Sequence, residues 1–253
     1  MKVTFLGTGT SQGIPVIACE CEVCQSPDSK DKRLRTSVMV ETQGQTFVID
    51  TGPDFRQQML RENVKNLDAV LFTHSHKDHI AGLDDVRAFN FKNKAALPVY
   101  AEPIVQDALR REYHYVFSDE KYPGIPEIEL ETIGNKPFAV NGVEIIPVRV
   151  WHYRLPVLGF RMGDFTYITD ANRIDEEEKQ KIRGSQVLVL NALRRTEHIS
   201  HFTLDQAVEL AQDLKIPQTY LIHLSHQMGR HEAVEKELPK GISIAWDGLQ
   251  IFF

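Results

Sequence analysis

The sequence has no apolar run approaching the roughly 20 residues that a helix needs to cross a bilayer, so no membrane span is expected. Cysteine is scarce: three residues among 253, an odd number unlike the disulfide framework of a secreted domain. Positive charge is in deficit. Lysine and arginine total 29 against 35 acidic residues, a formal charge of -6. That balance argues against a nucleic-acid polymer held by counterion release, but it leaves a small phosphate ester open as a partner. The opening stretch MKVTFLGTGTSQG has one lysine and a short apolar strand before its glycines, unlike a secretory signal, so a cytoplasmic location is expected. Internal repeats, low-complexity tracts and linkers are lacking, and residues 1–253 read as one domain.

What is present is a series of short β-branched or alternating runs separated by turn residues: KVTFL, SVMVE, QTFVID, AVLFT, LPVYA, VEIIPVRV, FTYITD, VLVL, TYLIH and ISIAW. Helical patterns interleave near residues 80–92, 104–113 and 205–214. Thr203 followed by Gln206 marks the start of the last as a capping box. The aromatic, proline-bearing segment 113–131 reads as a long surface loop, either a packed connector or a lid. Polar residues recur where strands stop: Asp50, His74, His152, Asp170 and His223. Such strand ends are where rigid backbone delivers side chains to a shared edge.

The densest of these points is THSHKDH at 73–79. On extended backbone, residues i and i+2 face the same way, so His74 and His76 can grip one ion. Asp78 and His79 fall at the start of a helix and point toward a second. Imidazole and carboxylate together suit zinc, manganese or iron in the 2+ state.

This His-x-His-x-Asp-His turn resembles the signature of the metallo-β-lactamase superfamily. The resemblance implies an α/β fold, the metallo-β-lactamase αββα sandwich. It also implies that His74, His76 and His152 hold one ion, that Asp78, His79 and His223 hold the other, and that Asp170 bridges them. Asp50 in FVIDTGPD matches the family's buried aspartate that braces the histidine loop.

A second cluster, CECEVC, places Cys19, Cys21 and Cys24 within six residues. Three thiolates this close need a cation, and tetrahedral zinc needs a fourth ligand. His226 is the expected one, with His231 as the alternative. A closed Cys3His site leaves no position for substrate, so this zinc is structural. The glycines of GTGTSQG do not form a dinucleotide loop: the last spacing is wrong for GxGxxG, and Ile-Pro-Val follows where a helix should begin.

The run GTGTSQGIPVIACECEVC, then DKRLRTS, then the histidine turn resembles PhnP-type phosphodiesterases. That resemblance extends to NALRRTEHISHFTLDQAVELA, where His201 falls on the family's catalytic histidine and His198 lies close by. It implies hydrolysis of small cyclic phosphodiesters, ribose 1,2-cyclic phosphate or 2',3'-cyclic nucleotides, by hydroxide activated between two divalent metals (manganese or zinc). His201 and Asp78 assist the departing alkoxide. Arg194 and Arg195 are candidate phosphate contacts. Rival readings are a ribonuclease Z-like tRNA 3' processing endonuclease, a PqqB-like cofactor-biosynthesis protein and a non-catalytic metal-holding module. A homodimer is compatible with all of them.

Overall fold

A computed structural model describes all of residues 1–253 except Lys121. The chain first lays down six strands: β1 (Lys2–Gly7), β2 (Ser37–Thr42), β3 (Gln45–Ile49), β4 (Ala69–Leu71), β5 (Leu97–Ala101) and β6 (Ile128–Thr132). Seven more follow: β7 (Phe138–Val140), β8 (Val143–His152), β9 (Leu155–Met162), β10 (Phe165–Tyr167), β11 (Val187–Asn191), β12 (Gln218–Ile222) and β13 (Ile242–Ile244). β14 (Gln250–Phe252) then returns to the first sheet beside β1. Helices α1 (Phe55–Arg61), α2 (Lys77–Ile80), α3 (Arg87–Asn93), α4 (Pro103–Glu112) and α5 (His114–Phe117) belong to the first half. Helices α6 (Glu176–Ile182), α7 (Leu204–Asp213) and α8 (His231–Glu235) belong to the second.

The sheets run β14-β1-β2-β3-β4-β5-β6 and β13-β12-β11-β10-β9-β8-β7. Read from β14, the first sheet has three antiparallel pairings and then three parallel ones, changing at β3; read from β7, the second does the same, changing at β10. The two halves therefore share one topology, although the sequence shows no repeat.

Alternation along the strands explains the layers. Val38 and Val40 of β2, with Phe47 and Ile49 of β3, face inward to meet Phe160, Tyr167 and Val189 of the opposite sheet. The intervening Met39 and Val48 face outward onto α1 and α3 through Phe55, Met59 and Phe89. On the other side Leu188 and Leu190 of β11 meet Leu204, Ala207 and Ala211 of α7. Helices thus cover both outer faces, as the αββα expectation requires. The capping box is present: Thr203 Oγ1 accepts from Gln206 N, and Thr203 N donates to the Gln206 side chain.

Two expectations need correction. The segment 113–131, read as loop, contains α5 at its start and the beginning of β6 at its end. Val116 is buried, the Tyr113 hydroxyl donates to Ile80 O, and Ile128 and Leu130 pack against the outer core. Only the middle keeps a loop's character, and Lys121 within it lies outside the described residues. The helix expected over 80–92 is interrupted, because Gly82 N donates to Thr51 O at 2.8 Å and the chain resumes through a 3-10 turn at Leu83–Val86.

That interruption locks the histidine loop to the turn after β3. A Cβ on Gly52 would meet Asp78 O at 2.2 Å, and one on Gly82 would meet Gly52 O at 2.1 Å. These are backbone contacts that cannot swing aside. Gly52→Ala should therefore destabilise the fold by about 1–3 kcal/mol, the usual cost of overpacking. Chemical denaturation checks this, and a midpoint equal to the parent's would show that the loop gives way freely.

Candidate metal centre

Residues at strand ends converge where the pairing changes from antiparallel to parallel. Asp50 follows β3, His74 lies just beyond β4, His152 ends β8, Asp170 lies beyond β10 and His223 follows β12. Asp50, Asp170 and His223 adopt left-handed backbone conformations, with φ of 64°, 51° and 57°. This region is uncommon for side-chain-bearing residues and is tolerated where surrounding structure over-determines it. α2 begins at Lys77 with His76 as its N-cap, which turns Asp78 and His79 into the same space as His74.

Asp170 is the centre of the cluster. Its Oδ2 lies 3.7 Å from His74 Nε2, and its Oδ1 lies 3.3 Å from His79 Nε2 and 3.0 Å from His223 Nδ1. Asp78 Oδ2 is 3.2 Å from His79 Nε2. Potential ligand atoms gather as Asp78, His79, Asp170 and His223; as His74, His76 and Asp170; and as His152, Asp170 and His201. Asp170 is common to all three. His152 therefore groups most tightly with Asp170 and His201 rather than with His74 and His76, although its ring lies 5.1 Å from that of His76.

The other ring nitrogens are held away from this space. His79 Nδ1 donates to Asp50 Oδ2 at 2.7 Å, and His152 Nδ1 donates to Ser200 O at 2.9 Å. Thr73 Oγ1 donates to Asp50 Oδ2 at 2.8 Å, so it receives the proton of His74 Nδ1 at 2.9 Å. The buried Nε2 atoms of His74 and His79 are left without hydrogen-bond partners. Unpartnered buried nitrogen is costly in a protein interior, and a divalent ion is a partner that fits lone pairs aimed at carboxylates. The donor set suits two divalent ions.

Electrostatics agree. Burial, reinforced by His79, holds His74 well below its ordinary value, leaving it neutral. Burial alone would raise Asp170, but His223 and His79 outweigh it and keep the carboxyl well below its usual range. For His79 burial is likewise outweighed, here by Asp170, Asp78 and Asp50, and the imidazole is raised. An ion binding there displaces that proton. His201 is different: burial, then His223, pushes it down to about 2, and its Nδ1 is buried without a partner.

The cysteines form a separate site. Sγ of Cys19, Cys21 and Cys24 lie 3.2, 3.4 and 3.6 Å from one atom, His226 Nδ1. One ring nitrogen cannot serve three sulfurs by hydrogen bonding. These spacings match the edges of a tetrahedron around zinc, roughly 3.5 Å for ordinary Zn–S and Zn–N lengths. The Cys24 backbone N–H lowers Cys21 to about 6, whereas burial raises Cys24 to about 11. His231, the alternative fourth ligand, instead lies buried with Nδ1 3.2 Å from Arg33 Nη2.

Arg194 and Arg195 are not free phosphate contacts. Arg194 donates to Thr196 O, Glu197 O and Gln227 Oε1, and Arg195 to Met228 O and Glu237. Sequence reasoning missed Ser200 and Asn172. The first acts through its carbonyl, which no side-chain pattern reveals. Asn172 accepts from Tyr153 N and donates to Ile199 O, so it binds two turns beside the centre.

The model of the beta-lactamase superfamily domain matches residues 45–224. An octanoyltransferase of Porphyromonas gingivalis is 42% identical over 253 residues, covering 99% of this chain and 51% of that protein, so the chain spans about half the length of this relative. The crystal structure of a diphosphatase from the PhnP family superposes with a TM-score of 0.93 at 40% identity, covering 100% of this chain and 97% of the other. Zinc-bound PqqB from Methylobacterium extorquens shares the fold, with a TM-score of 0.80 at 19% identity and complete coverage of both chains.

Two outcomes follow from this geometry. Asp50→Asn removes the charge that orients His79 and the Thr73–His74 relay, and should weaken binding at the histidine centre about 10- to 100-fold. Competition with a chelator measures this, and unchanged affinity would make Asp50 a fold residue only. Cys21→Ser should lower thermal stability while the histidine centre keeps its metal, because gathering ligands around zinc stabilises only the folded state. A variant as stable as the parent with full zinc content would remove these cysteines from metal binding.

Proposed function

Because the chain belongs to the metallo-β-lactamase superfamily and, within it, to the PhnP family, we propose that it is a phosphodiesterase acting on small cyclic phosphodiesters. Ribose 1,2-cyclic phosphate and 2',3'-cyclic nucleotides are the substrates of choice. The observation that carries this reading is Asp170, whose two oxygens face different imidazole groups beside a buried His201. A pair of divalent ions in this cradle supplies water activation near neutral pH and charge neutralisation at the phosphoryl oxygens.

The chain's residues do the rest. In this reading His74, His76 and His152 would hold one ion and Asp78, His79 and His223 the other, with Asp170 between them. Asp50 fixes the ring orientation of His79 and, through Thr73, of His74. His201 donates a proton to the leaving alkoxide. In the ligand-free chain burial keeps its imidazole neutral, so its role as a donor requires a phosphate anion within reach to favour the charged form. Asp78 holds its carboxylate beside the same space.

A second reading has its own support, since the PhnP-family relative is a diphosphatase. A diphosphate presents the same tetrahedral phosphorus, but its leaving group is a phosphate with a second pKa of about 6, which departs without help. The octanoyltransferase name belongs to a protein twice as long, and here all three cysteines converge on His226, leaving no free thiol to carry an acyl group. A tRNA substrate fits poorly with a net charge of -6.

Side-by-side turnover of a 2',3'-cyclic nucleotide, ribose 1,2-cyclic phosphate, a dinucleoside diphosphate and a tRNA precursor tests the proposal. Cleavage of the tRNA alone would overturn it. His201→Ala should cut cyclic-nucleotide hydrolysis about 100- to 10,000-fold, the span of general-acid help. The same variant should retain much of the activity on bis(p-nitrophenyl) phosphate, whose leaving group needs no proton. Equal losses on both substrates with metals in place would assign His201 to phosphate binding instead.

A further inference from the structure

Arg194 follows β11 and stands between two segments that nothing in the sequence connects. Its Nε donates to Thr196 O at 3.2 Å and its Nη2 to Glu197 O at 2.7 Å. Both carbonyls lie on the loop that continues to His198 and His201. On its other side Nη1 donates to Gln227 Oε1 at 3.1 Å. Gln227 is the residue after His226, the nitrogen member of the cysteine cluster. A guanidinium can make these three bonds at once because its donors lie in a fixed planar fork, and an ammonium cannot reproduce them.

The loop depends on such bonds. Its base is closed by Leu193 N to Phe202 O and Leu204 N to Arg194 O, and Ser225 N on the cluster side donates to Leu193 O. Between those closures its middle has little apolar anchorage: Thr196 and Glu197 are exposed, and Ile199 is 65% exposed. Two further bonds hold its far end, where Ser200 O accepts from His152 and Ile199 O from Asn172. The near end has Arg194.

The cysteine segment is equally sparse. Its apolar support is a small group of Ile14, Val23 and Cys24, and Ile17 beside it is 95% exposed. Met228 at the end of the turn is buried in the second core, while the more exposed His226–Gln227 part is fixed by what the cysteines hold, by the Ser225 Oγ cap on Gln227 N, and by the bonds from Arg194 to Gln227 and from Arg195 to Met228 O.

We propose that Arg194 is a positioning residue which carries the order of the Cys19–Cys21–Cys24–His226 cluster, through Gln227, to the loop that aims His201 at the leaving oxygen. The cysteine site then serves the reaction as well as the fold. The inference rests on the proposed role of His201 for its kinetic consequence, whereas its mechanical part stands on hydrogen bonds alone.

Hydrogen–deuterium exchange and kinetics on Arg194→Gln, Arg194→Lys and Gln227→Ala test it, with metal content measured for each. The two Arg194 variants should keep the parent's metal complement and exchange faster at the amides of 196–202. Each should lose on the order of 10- to 100-fold in kcat on a 2',3'-cyclic nucleotide, the penalty for a catalytic group displaced by about 1 Å. Activity on bis(p-nitrophenyl) phosphate should be largely retained. Gln227→Ala, at an exposed site, should show the same pattern more weakly. Cys21→Ser, where it folds, should speed exchange over the same residues.

Unchanged exchange at 196–202 in all the Arg194 and Gln227 variants would overturn the proposal. So would a rise in KM for both substrates alike, which marks a phosphate contact. If His201→Ala itself shows no dependence on the leaving group, the reading of His201 fails, while the exchange data still decide whether Arg194 links the cluster to the loop.

Discussion

The site depends on one buried carboxylate. Asp50 is fully shielded from solvent, and an ionised group there is tolerable only if its oxygens are satisfied. Three donors satisfy them: Thr73 N to Oδ1, and Thr73 Oγ1 and His79 Nδ1 to Oδ2. Each has a consequence for the centre. The His79 bond leaves the Nε2 lone pair facing inward. The Thr73 hydroxyl, committed to Asp50, must accept from His74, which fixes a second imidazole in the same tautomer. The backbone bond ties the whole turn to the end of β3. Deleting the carboxylate would leave all three donors stranded in the interior, so the residue governs local fold and ligand geometry together.

The location of that carboxylate follows from topology. Crevices open in α/β sheets at the carboxyl ends of strands where the strand order changes sense. Here strand order does not reverse, but pairing changes from antiparallel to parallel once in each sheet, at β3 and β10. Asp50 and Asp170 follow those two strands, and both have positive φ. The two halves deliver an aspartate to the same point in the same strained conformation. Their environments then divide the work. Asp50 is enclosed by donors and supports histidines from behind, whereas Asp170 faces imidazoles of both halves and lies between the potential ions. The same position in the duplicated topology yields a carboxylate that braces histidines in one half and one that faces imidazoles of both halves in the other.

How much of this was legible in the sequence depended on what kind of information each feature carries. The histidine turn and the cysteine cluster are local, and the fold forms them as spacing predicts. His226 lies 202 residues from Cys24, yet the chemistry of zinc called for a fourth ligand and its place after His223 marked it. Strands β6, β7 and β14 were missed because short or half-exposed segments such as IELET blur the alternation expected of buried strands, and β9 because Pro156 and Gly159 interrupt its apolar run. The loop reading of 113–131 gave weight to proline and aromatics and too little to Val116, Ile128 and Leu130, which the core recruits. Arg194 and Arg195 were candidate phosphate contacts because the sequence does not reveal that their guanidinium groups are taken up by the adjacent loop and by Gln227, Met228 and Glu237.

Charge at two scales limits what can enter. If divalent ions bind here, the imidazoles that hold them would bring no charge, and Asp78 and Asp170 are the carboxylates beside the clustered histidine nitrogens. Two divalent ions would then leave an excess of positive charge in a cleft with low-dielectric walls, where field lines focus on an anion. These 253 residues together carry -6. A long polyanion would meet that repulsion along its length, and surface screening reduces but does not reverse it. A single phosphodiester experiences mainly the local field, because most of the distant charge lies beyond a Debye length of about 8–10 Å. The same histidine turn on a basic surface could serve an RNA; the acidic balance of these residues disfavours a long polyanion and is consistent with the compact phosphodiester proposed above.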